Sequence, residues 1–279
     1  MPRRRSTLSL LPAAILCVAL LTLVACTPPK PPVGPPTGQC RPDPFSADVQ
    51  AFLHAAGAAA HHVTAAAYDD RTGCWYHLWP GVRVSTASVV KLEIAAAIHL
   101  RAQDRNLSVS RWEQDRISPM IRASDDSAAT SLWGALGGVR GMSDWGARMG
   151  LTDTVETEPK WGLTSTTAED QARFVHRLMQ GDLLEPIRKG LLWLELRNVR
   201  PDQSWGIRSG VPAEWDVGHK NGFAPSACCG WRVNSVGYVA DPAGGGYSIA
   251  ILSDGWGSLA EGVPMVEGVA RTVAGSLTR

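Results

Sequence analysis

The chain has 279 residues, of which 19% are charged and 44% hydrophobic, and its formal net charge is +1. This composition is typical of a folded globular protein with room for one large domain or two interleaved lobes. The balanced charge gives no reason to expect nucleic acid as a partner.

The first 25 residues are predicted to form an export signal. Three arginines at positions 3–5 precede an apolar segment over residues 8–24. The residues Leu23-Val24-Ala25-Cys26 resemble a bacterial lipobox, which implies that Cys26 carries a lipid. The alternative is an uncleaved membrane anchor, because the apolar segment is only marginally long enough to span a bilayer. In both cases we expect an exported domain held at the extracytoplasmic surface of the cell membrane.

A proline-rich linker is predicted from Cys26 to residue 44. It contains three Pro-Pro pairs within residues 28–36. Such pairs favour an extended polyproline conformation and make a semi-rigid spacer. The linker would therefore hold the folded domain, predicted over residues 45–279, away from the membrane.

The folded part alternates between helical and strand-like patterns. A helix is predicted over residues 45–60, followed by two strands joined by a turn of Asp, Arg, Thr and Gly. A helical pattern then continues for about a hundred residues. Three further strands and a long amphipathic helix complete the chain. The predicted strands span residues 63–68, 74–78, 215–223, 231–240 and 247–252, and the last helix spans residues 259–277.

This order predicts an α+β fold with a five-stranded, mainly antiparallel sheet, because links of hairpin length join most of its strands. The terminal helices flank the sheet. The sheet lobe is expected over residues 45–87 and 205–279, with an all-helical lobe of residues 88–204 inserted between them. A cleft between the two lobes is the expected binding place.

Four cysteines remain once Cys17 is assigned to the export signal and Cys26 to the lipid, and they allow three pairings. Cys40 precedes the first helix and Cys74 follows the first hairpin turn, so both are expected at one end of the domain. We therefore predict a Cys40–Cys74 disulfide. The neighbours Cys228 and Cys229 are either an adjacent pair or two free thiols. The cysteine and histidine spacings do not match a zinc site, and we predict no metal and no cofactor.

The first candidate for chemistry is Ser88 followed three residues later by Lys91. At the start of a helix the two side chains share one face, a turn apart. A serine hydroxyl becomes a nucleophile when a base takes its proton, and a lysine whose pKa is lowered by burial or positive charge is such a base. The alternative is an ordinary helix start with an exposed lysine.

Two further motifs follow in order. Ser124-Asp125-Asp126 begins a predicted helix, and Lys220-Asn221-Gly222 lies at the end of a predicted strand. With Ser88 and Lys91 they resemble the S-x-x-K, S-D-N and K-T-G motifs of class A β-lactamases and penicillin-binding proteins. The resemblance covers roughly residues 45–279 and implies a serine β-lactamase-like fold. Two of the three motifs are imperfect.

The resemblance also implies roles for the matched residues. Ser88 would be acylated, and Lys91 would accept its proton. Ser124 would pass a proton to the leaving nitrogen, and Lys220 would attract a substrate carboxylate. The backbone N–H groups of Ser88 and Phe223 would form an oxyanion hole. The implied substrate-binding residues are Asp126, Asn221, Gly222 and Phe223.

Three departures from the family pattern bear on activity. Asp126 replaces an asparagine, and as a carboxylate it is expected to hold Lys91 in its protonated form and make it a poorer base. Asn221 replaces a threonine, and its amide can still donate to a carboxylate. Glu158 matches the glutamate that releases the acyl group in class A enzymes, but Trp161 and Gly162 replace the leucine and asparagine that follow it. Glu158 is therefore either a deacylation base or a solvated loop residue.

These features predict a membrane-anchored serine hydrolase that forms an acyl-serine with a β-lactam, a D-alanyl cell-wall peptide or an ester. The expected partners are a β-lactam or peptidoglycan-derived substrate and the membrane, and the expected state is a monomer. The alternative is a catalytically weak or inactive domain on the same fold, which binds cell-wall material or a protein partner.

Overall fold

The fold is described from a computed structural model, which describes residues 38–55, 63–157, 160–226, 228 and 230–279. The predicted export signal, most of the linker, Cys26, Glu158 and Cys229 lie outside the described residues. No helix in the described ranges is long and apolar enough to cross a membrane.

Helices and strands follow the predicted order. The elements in chain order are α1 (Ala47–Ala55), β1 (Val63–Asp69), β2 (Cys74–Leu78), β3 (Arg83–Ser85), α2 (Val90–Asp104), α3 (Arg111–Arg122), α4 (Asp126–Ala135), α5 (Gly138–Met149), β4 (Ser165–Thr167), α6 (Ala168–Met179), α7 (Pro186–Arg197), β5 (Asp216–Ser226), β6 (Gly230–Ala240), β7 (Gly246–Ser253) and α8 (Leu259–Leu277). Short 3-10 helices occur at Ala87–Val89, Trp161–Leu163 and Pro201–Gln203.

The main sheet has five strands in the order β2-β1-β7-β6-β5, and its neighbouring strands are antiparallel. Ala66 of β1 lies opposite Ala250 of β7, which lies opposite Val236 of β6. The predicted α+β class and the five-stranded antiparallel sheet are confirmed. A second, two-stranded sheet of β3 and β4 was not predicted.

Both faces of the main sheet are covered by helices, which explains why its central strands are almost entirely buried. Ala65 of β1 and Ile249 of β7 pack with Val269 of α8 on one face. Ala66 and Ala250 point the other way, into a core shared with α2 and α6. Side chains alternate between the two faces because the strand repeat is two residues. The inserted helices are thus joined to the sheet through one continuous apolar core.

Side-chain caps fix the starts of several helices. Ser110 accepts a hydrogen bond from the backbone N–H of Glu113, and the Glu113 side chain accepts from the Ser110 backbone, so α3 begins with a capping box. Thr167 caps α6 by accepting from the N–H of Asp170. Asp125 caps α4 by accepting from the N–H of Ala128.

The predicted disulfide between Cys40 and Cys74 is present, with their Cα atoms 5.6 Å apart. It joins the segment before α1 to the start of the edge strand β2. Cys228, in the turn between β5 and β6, is also disulfide-bonded, so it is not one of two free thiols.

Glu93, on α2, is a fully buried carboxyl. Gln171 of α6 donates to its Oε1 at 2.8 Å, and its Oε2 has no hydrogen-bond partner among the described residues. Burial raises the pKa of Glu93 from 4.5 to about 8. Between these two pH values the Glu93 carboxyl is therefore neutral in the folded protein, whereas it would be ionised in an unfolded chain.

We expect this proton to make stability depend on pH. Because the folded pKa of Glu93 lies above the unfolded value, its stabilising effect is complete below about pH 4.5 and is lost as the pH rises through about 8. The free energy of unfolding should fall by about 2–4 kcal/mol between pH 5 and 8 from this group alone. Glu93→Gln keeps a neutral acceptor for Gln171 and should remove this contribution to the pH dependence of the free energy of unfolding.

Urea unfolding at pH 5 and pH 8 measures this pH dependence, and the exposed Glu214→Gln serves as the control. Equal slopes in wild type and Glu93→Gln would contradict the expectation.

Candidate active site

Ser88 lies in a tight turn directly before α2. The turn is the 3-10 helix Ala87–Val89, and the α-helix itself begins at Val90. Ala87 has a φ of 46°, a left-handed conformation that is uncommon for residues with a side chain. The N–H of Thr86 donates to Thr164 O at 2.8 Å, which fixes the turn to the loop before β4. Ser88 is half-buried.

Lys91 follows one turn later and is completely buried. Its Nζ donates to Ser124 O at 2.5 Å, to Ser124 Oγ at 3.1 Å and to Asp126 Oδ1 at 2.6 Å. Burial lowers the pKa of Lys91, and the hydrogen bond and charge of Asp126 oppose that shift without cancelling it. The structure thus agrees with the predicted direction of the Asp126 effect but shows that burial outweighs it.

The lysine and Ser88 are not hydrogen-bonded in the part of the chain that the structure describes. An ammonium has three hydrogens, and Lys91 has three acceptors for them. A neutral amine has only two hydrogens and one lone pair. Loss of one proton therefore leaves the Lys91 nitrogen able to accept a hydrogen bond from Ser88.

Ser124 receives hydrogen bonds from two buried lysines. Its Oγ lies 3.1 Å from Lys91 Nζ and 3.0 Å from Lys220 Nζ. A hydroxyl has two acceptor positions and one hydrogen, so the two lysines fill the acceptor positions. The Ser124 hydrogen has no acceptor among the described residues. Ser124 also has a φ of 59°, immediately before its neighbour Asp125 caps α4.

Lys220 lies on β5 and is 1% exposed. Besides Ser124 it donates to the carbonyl of Asn221 at 2.8 Å. Burial, with a smaller effect from the nearby charge of Lys91, holds the pKa of Lys220 well below its usual range. Two lysines with lowered pKa values therefore share one serine hydroxyl.

Asn221 does not fit its predicted substrate-binding role. Its Nδ2 donates to Gln203 O at 2.8 Å and to Trp205 O at 3.1 Å, and the residue is 2% exposed. Both amide hydrogens are therefore used by buried backbone carbonyls. A three-residue motif does not reveal these contacts with the 203–205 segment.

Gly222 is where β5 meets the Ser88 turn. A Cβ at this position would lie 2.5 Å from Thr86 O, 2.7 Å from Val89 N and 2.9 Å from Ser88 N. All three are backbone atoms, so the strand and the turn are as close as two backbones can be. The next residue, Phe223, is half-buried and follows directly from this contact.

Trp161 completes the surroundings of Lys91. The Lys91 Nζ lies 4.9 Å from the centroid of the indole ring, and Trp161 Nε1 donates to Thr130 Oγ1 at 3.1 Å. From the sequence, Trp161 was identified only as a replacement for the leucine of the family motif. Its contact with Lys91 joins residues 70 positions apart, so the local sequence pattern does not predict it.

The structure thus brings Lys91, Ser124, Asp126 and Lys220 into one hydrogen-bonded network and packs Gly222 against the Ser88 turn. No group of three or more His, Cys, Asp or Glu residues in the described ranges is arranged to hold a metal ion.

A family model described as "Beta-lactamase enzyme family" matches residues 113–277 of the chain. The chain belongs to the beta-lactamase enzyme family. The match includes Ser124 and Lys220 and begins after Ser88 and Lys91. The predicted membership of the serine β-lactamase and penicillin-binding protein superfamily is confirmed.

Curated relatives of this beta-lactamase family member occur in mycobacteria. The putative lipoprotein LppW of Mycobacterium tuberculosis is 27% identical over 227 residues, covering 78% of this chain and 71% of the relative. A beta-lactamase of the same species is 32% identical over 149 residues, covering 48% of this chain and 46% of the relative.

Solved structures with the same fold include both branches of the superfamily. PBP-A superposes with a TM-score of 0.70 at 17% identity, covering 82% of this chain and 95% of that chain. A variant of the last common ancestor of Gram-negative class A beta-lactamases gives a TM-score of 0.72 at 21% identity, covering 82% and 98%. At these identities the comparison establishes the fold.

Proposed function

We propose that this protein is an exported serine enzyme that forms an acyl-serine with a β-lactam, a D-alanyl cell-wall peptide or a simple ester. Ser88 Oγ forms a bond to the substrate carbonyl carbon, and the bond from that carbon to the leaving nitrogen or oxygen breaks. Lys91 takes the Ser88 proton. Ser124 gives its proton to the leaving atom and is reprotonated from a neighbouring lysine.

One observation carries this proposal: the Ser124 hydroxyl accepts from both buried lysines. That arrangement leaves the Ser124 hydrogen as the one that can be given to a leaving group. The lowered pKa of Lys91 supports its role as a base. Lys220 supplies positive charge for a substrate carboxylate, and the N–H groups of Ser88 and Phe223 serve as the oxyanion hole.

The acyl-serine is expected to be long-lived. Among the described carboxylate residues, Glu156 lies closest in sequence to Trp161, and its Oε2 accepts from Ser143 of α5. Glu158 remains a candidate deacylation base. A PBP-A variant is described as an acyl-enzyme complex with penicillin G, and we infer similar penicillin-binding behaviour for this chain.

The proposal includes the location. Residues 1–25 would be the export signal, Cys26 the lipidated residue and residues 26–44 the linker, with the domain over residues 45–279. The name of the relative LppW, a putative lipoprotein, supports this assignment. The sheet lobe and helical lobe would then face an extracytoplasmic substrate as a monomer.

A second candidate is a domain of the same fold that binds cell-wall material or a protein with little or no catalysis. The observation that favours it is the 2.6 Å contact between Lys91 Nζ and Asp126 Oδ1. A carboxylate bonded to the lysine stabilises its protonated form, which cannot act as a base.

A fluorescent penicillin separates the two candidates. We expect wild type to carry a covalent label that survives denaturation, and intact-mass measurement should show one penicillin per chain. Ser88→Ala should remove the label. Ser131→Ala, an exposed serine on α4, should keep it. No label on wild type at any concentration, together with no Ser88-dependent hydrolysis of a simple ester, would favour the binding domain.

A further inference from the structure

The indole of Trp161 lies beside the Lys91 nitrogen, next to the three acceptors that this nitrogen contacts. As an ammonium, Lys91 directs its three hydrogens to Ser124 O, Ser124 Oγ and Asp126 Oδ1. The Trp161 ring centroid lies 4.9 Å from the same nitrogen. At this distance an aromatic face attracts the cation and fills the space that a water molecule would occupy.

One hydrogen bond holds the indole, and two further contacts hold the chain segment that carries it. Its Nε1 donates to Thr130 Oγ1 on α4 at 3.1 Å. The next residue, Gly162, packs against the backbone of Ala87, where an added Cβ would lie 3.7 Å from the Ala87 Cα. Thr164, at the end of the same short helix, accepts from the N–H of Thr86. The ring is thus fixed to α4 and to the Ser88 turn.

Hydrolysis of an acyl-serine needs a water molecule beside the ester and a group that takes its proton. The water oxygen bonds to the acyl carbon, the bond from that carbon to Ser88 Oγ breaks, and a proton returns to Ser88. Lys91 is the titratable nitrogen one turn from Ser88. The Trp161 ring takes up space beside this nitrogen, where a water bonded to Lys91 would also have to lie.

We propose that Trp161 keeps the acyl-serine intact by excluding the hydrolytic water from the space beside Lys91. Trp161 is a positioning residue: it touches the lysine and acts on the acyl group through it. This inference rests on the proposed function, because it presupposes that Ser88 is acylated. It assigns the persistence of the acyl group to an aromatic side chain.

The test separates formation of the acyl group from its loss. Wild type, Trp161→Ala, Trp161→Phe and Thr130→Val are labelled with a fluorescent penicillin, freed of excess reagent, and followed as the label is lost. We expect Trp161→Ala to lose its label at least about tenfold faster than wild type, while its acylation rate stays within about threefold. Trp161→Phe keeps a ring over the lysine and should stay near wild type. Thr130→Val removes the Nε1 acceptor together with the hydrogen bond from Thr130 Oγ1 to Asp126 O, and it should lie between them.

Trp145→Ala is the matched control, since Trp145 is another partly buried tryptophan, packed against the core away from Lys91. It should leave the loss of label unchanged. A Trp161→Ala protein that folds, is acylated and keeps its label as long as wild type would overturn the role of Trp161 and leave the proposed function standing. A wild type that is never labelled at Ser88 overturns both.

Discussion

Replacing Lys91 with methionine should lower the rate of acylation by a penicillin about 10²–10⁴-fold, which is the usual contribution of a general base. Methionine fits the buried stem but has no nitrogen to take the Ser88 proton. The change should leave the fold intact, because the side chain of Asp126, which loses its partner, is 77% exposed and can be solvated.

The measurement is the second-order rate constant for covalent labelling, determined from pH 6 to pH 10. In wild type this rate constant should rise with pH as Lys91 loses its proton. The rise should occur below the ordinary lysine pKa, because burial lowers the pKa of Lys91. Lys91→Met should lose that rise. Lys189→Met, remote on α7 where the ammonium donates to Gly181 O, should behave like wild type. A Lys91→Met protein that is labelled within tenfold of wild type would contradict the assignment of Lys91 as base.

Gly222→Ala should destabilise the protein by about 3 kcal/mol and abolish acylation. The added methyl would lie 2.5 Å from Thr86 O and 2.9 Å from Ser88 N, and backbone atoms cannot move aside as a flexible side chain can. Either β5 moves away from the Ser88 turn or the turn is rebuilt, and both outcomes separate Lys220 from Ser88.

Urea unfolding and penicillin labelling measure the two effects of Gly222→Ala. Gly190→Ala on α7 is the matched control, because no atom lies within 4 Å of its added Cβ. It should stabilise the protein by about 0.5–1 kcal/mol through the better helix propensity of alanine. If Gly222→Ala were as stable and as readily labelled as Gly190→Ala, the close contact between β5 and the Ser88 turn would be wrong.

The sequence predicted the architecture well because its signals are long and local. Alternating apolar strands and the amphipathic pattern of α8 place the sheet and the last helix within one residue of their observed ends, except that β5 continues to Ser226, three residues beyond its predicted end. The three motifs placed Lys91, Ser124 and Lys220 correctly on α2, before α4 and on β5. These residues were placed by the order of the three motifs along the chain, which can be read directly from the sequence.

What the sequence did not predict depends on contacts between distant segments. The strands β3 and β4 have three residues each and pair across about 80 residues, and so short a segment shows no recognisable repeat. The contacts of Asn221 with its buried partners and of Trp161 with Lys91 also join segments that are separated in sequence. The burial of Glu93 was also missed, because a charged residue in an amphipathic helix is normally assigned to its solvent face.

The Cys40–Cys74 disulfide determines which element of the domain bears a force applied to the N-terminal segment. A force applied before Cys40 passes through the disulfide into β2 at Cys74, and α1 is bypassed. Because β2 pairs with β1 along five residue positions from Cys74 to Leu78, the load acts on several hydrogen bonds of the sheet. Reduction of the disulfide would transfer the same load to α1, a helix of nine residues. The bond therefore connects the N-terminal segment mechanically to the sheet.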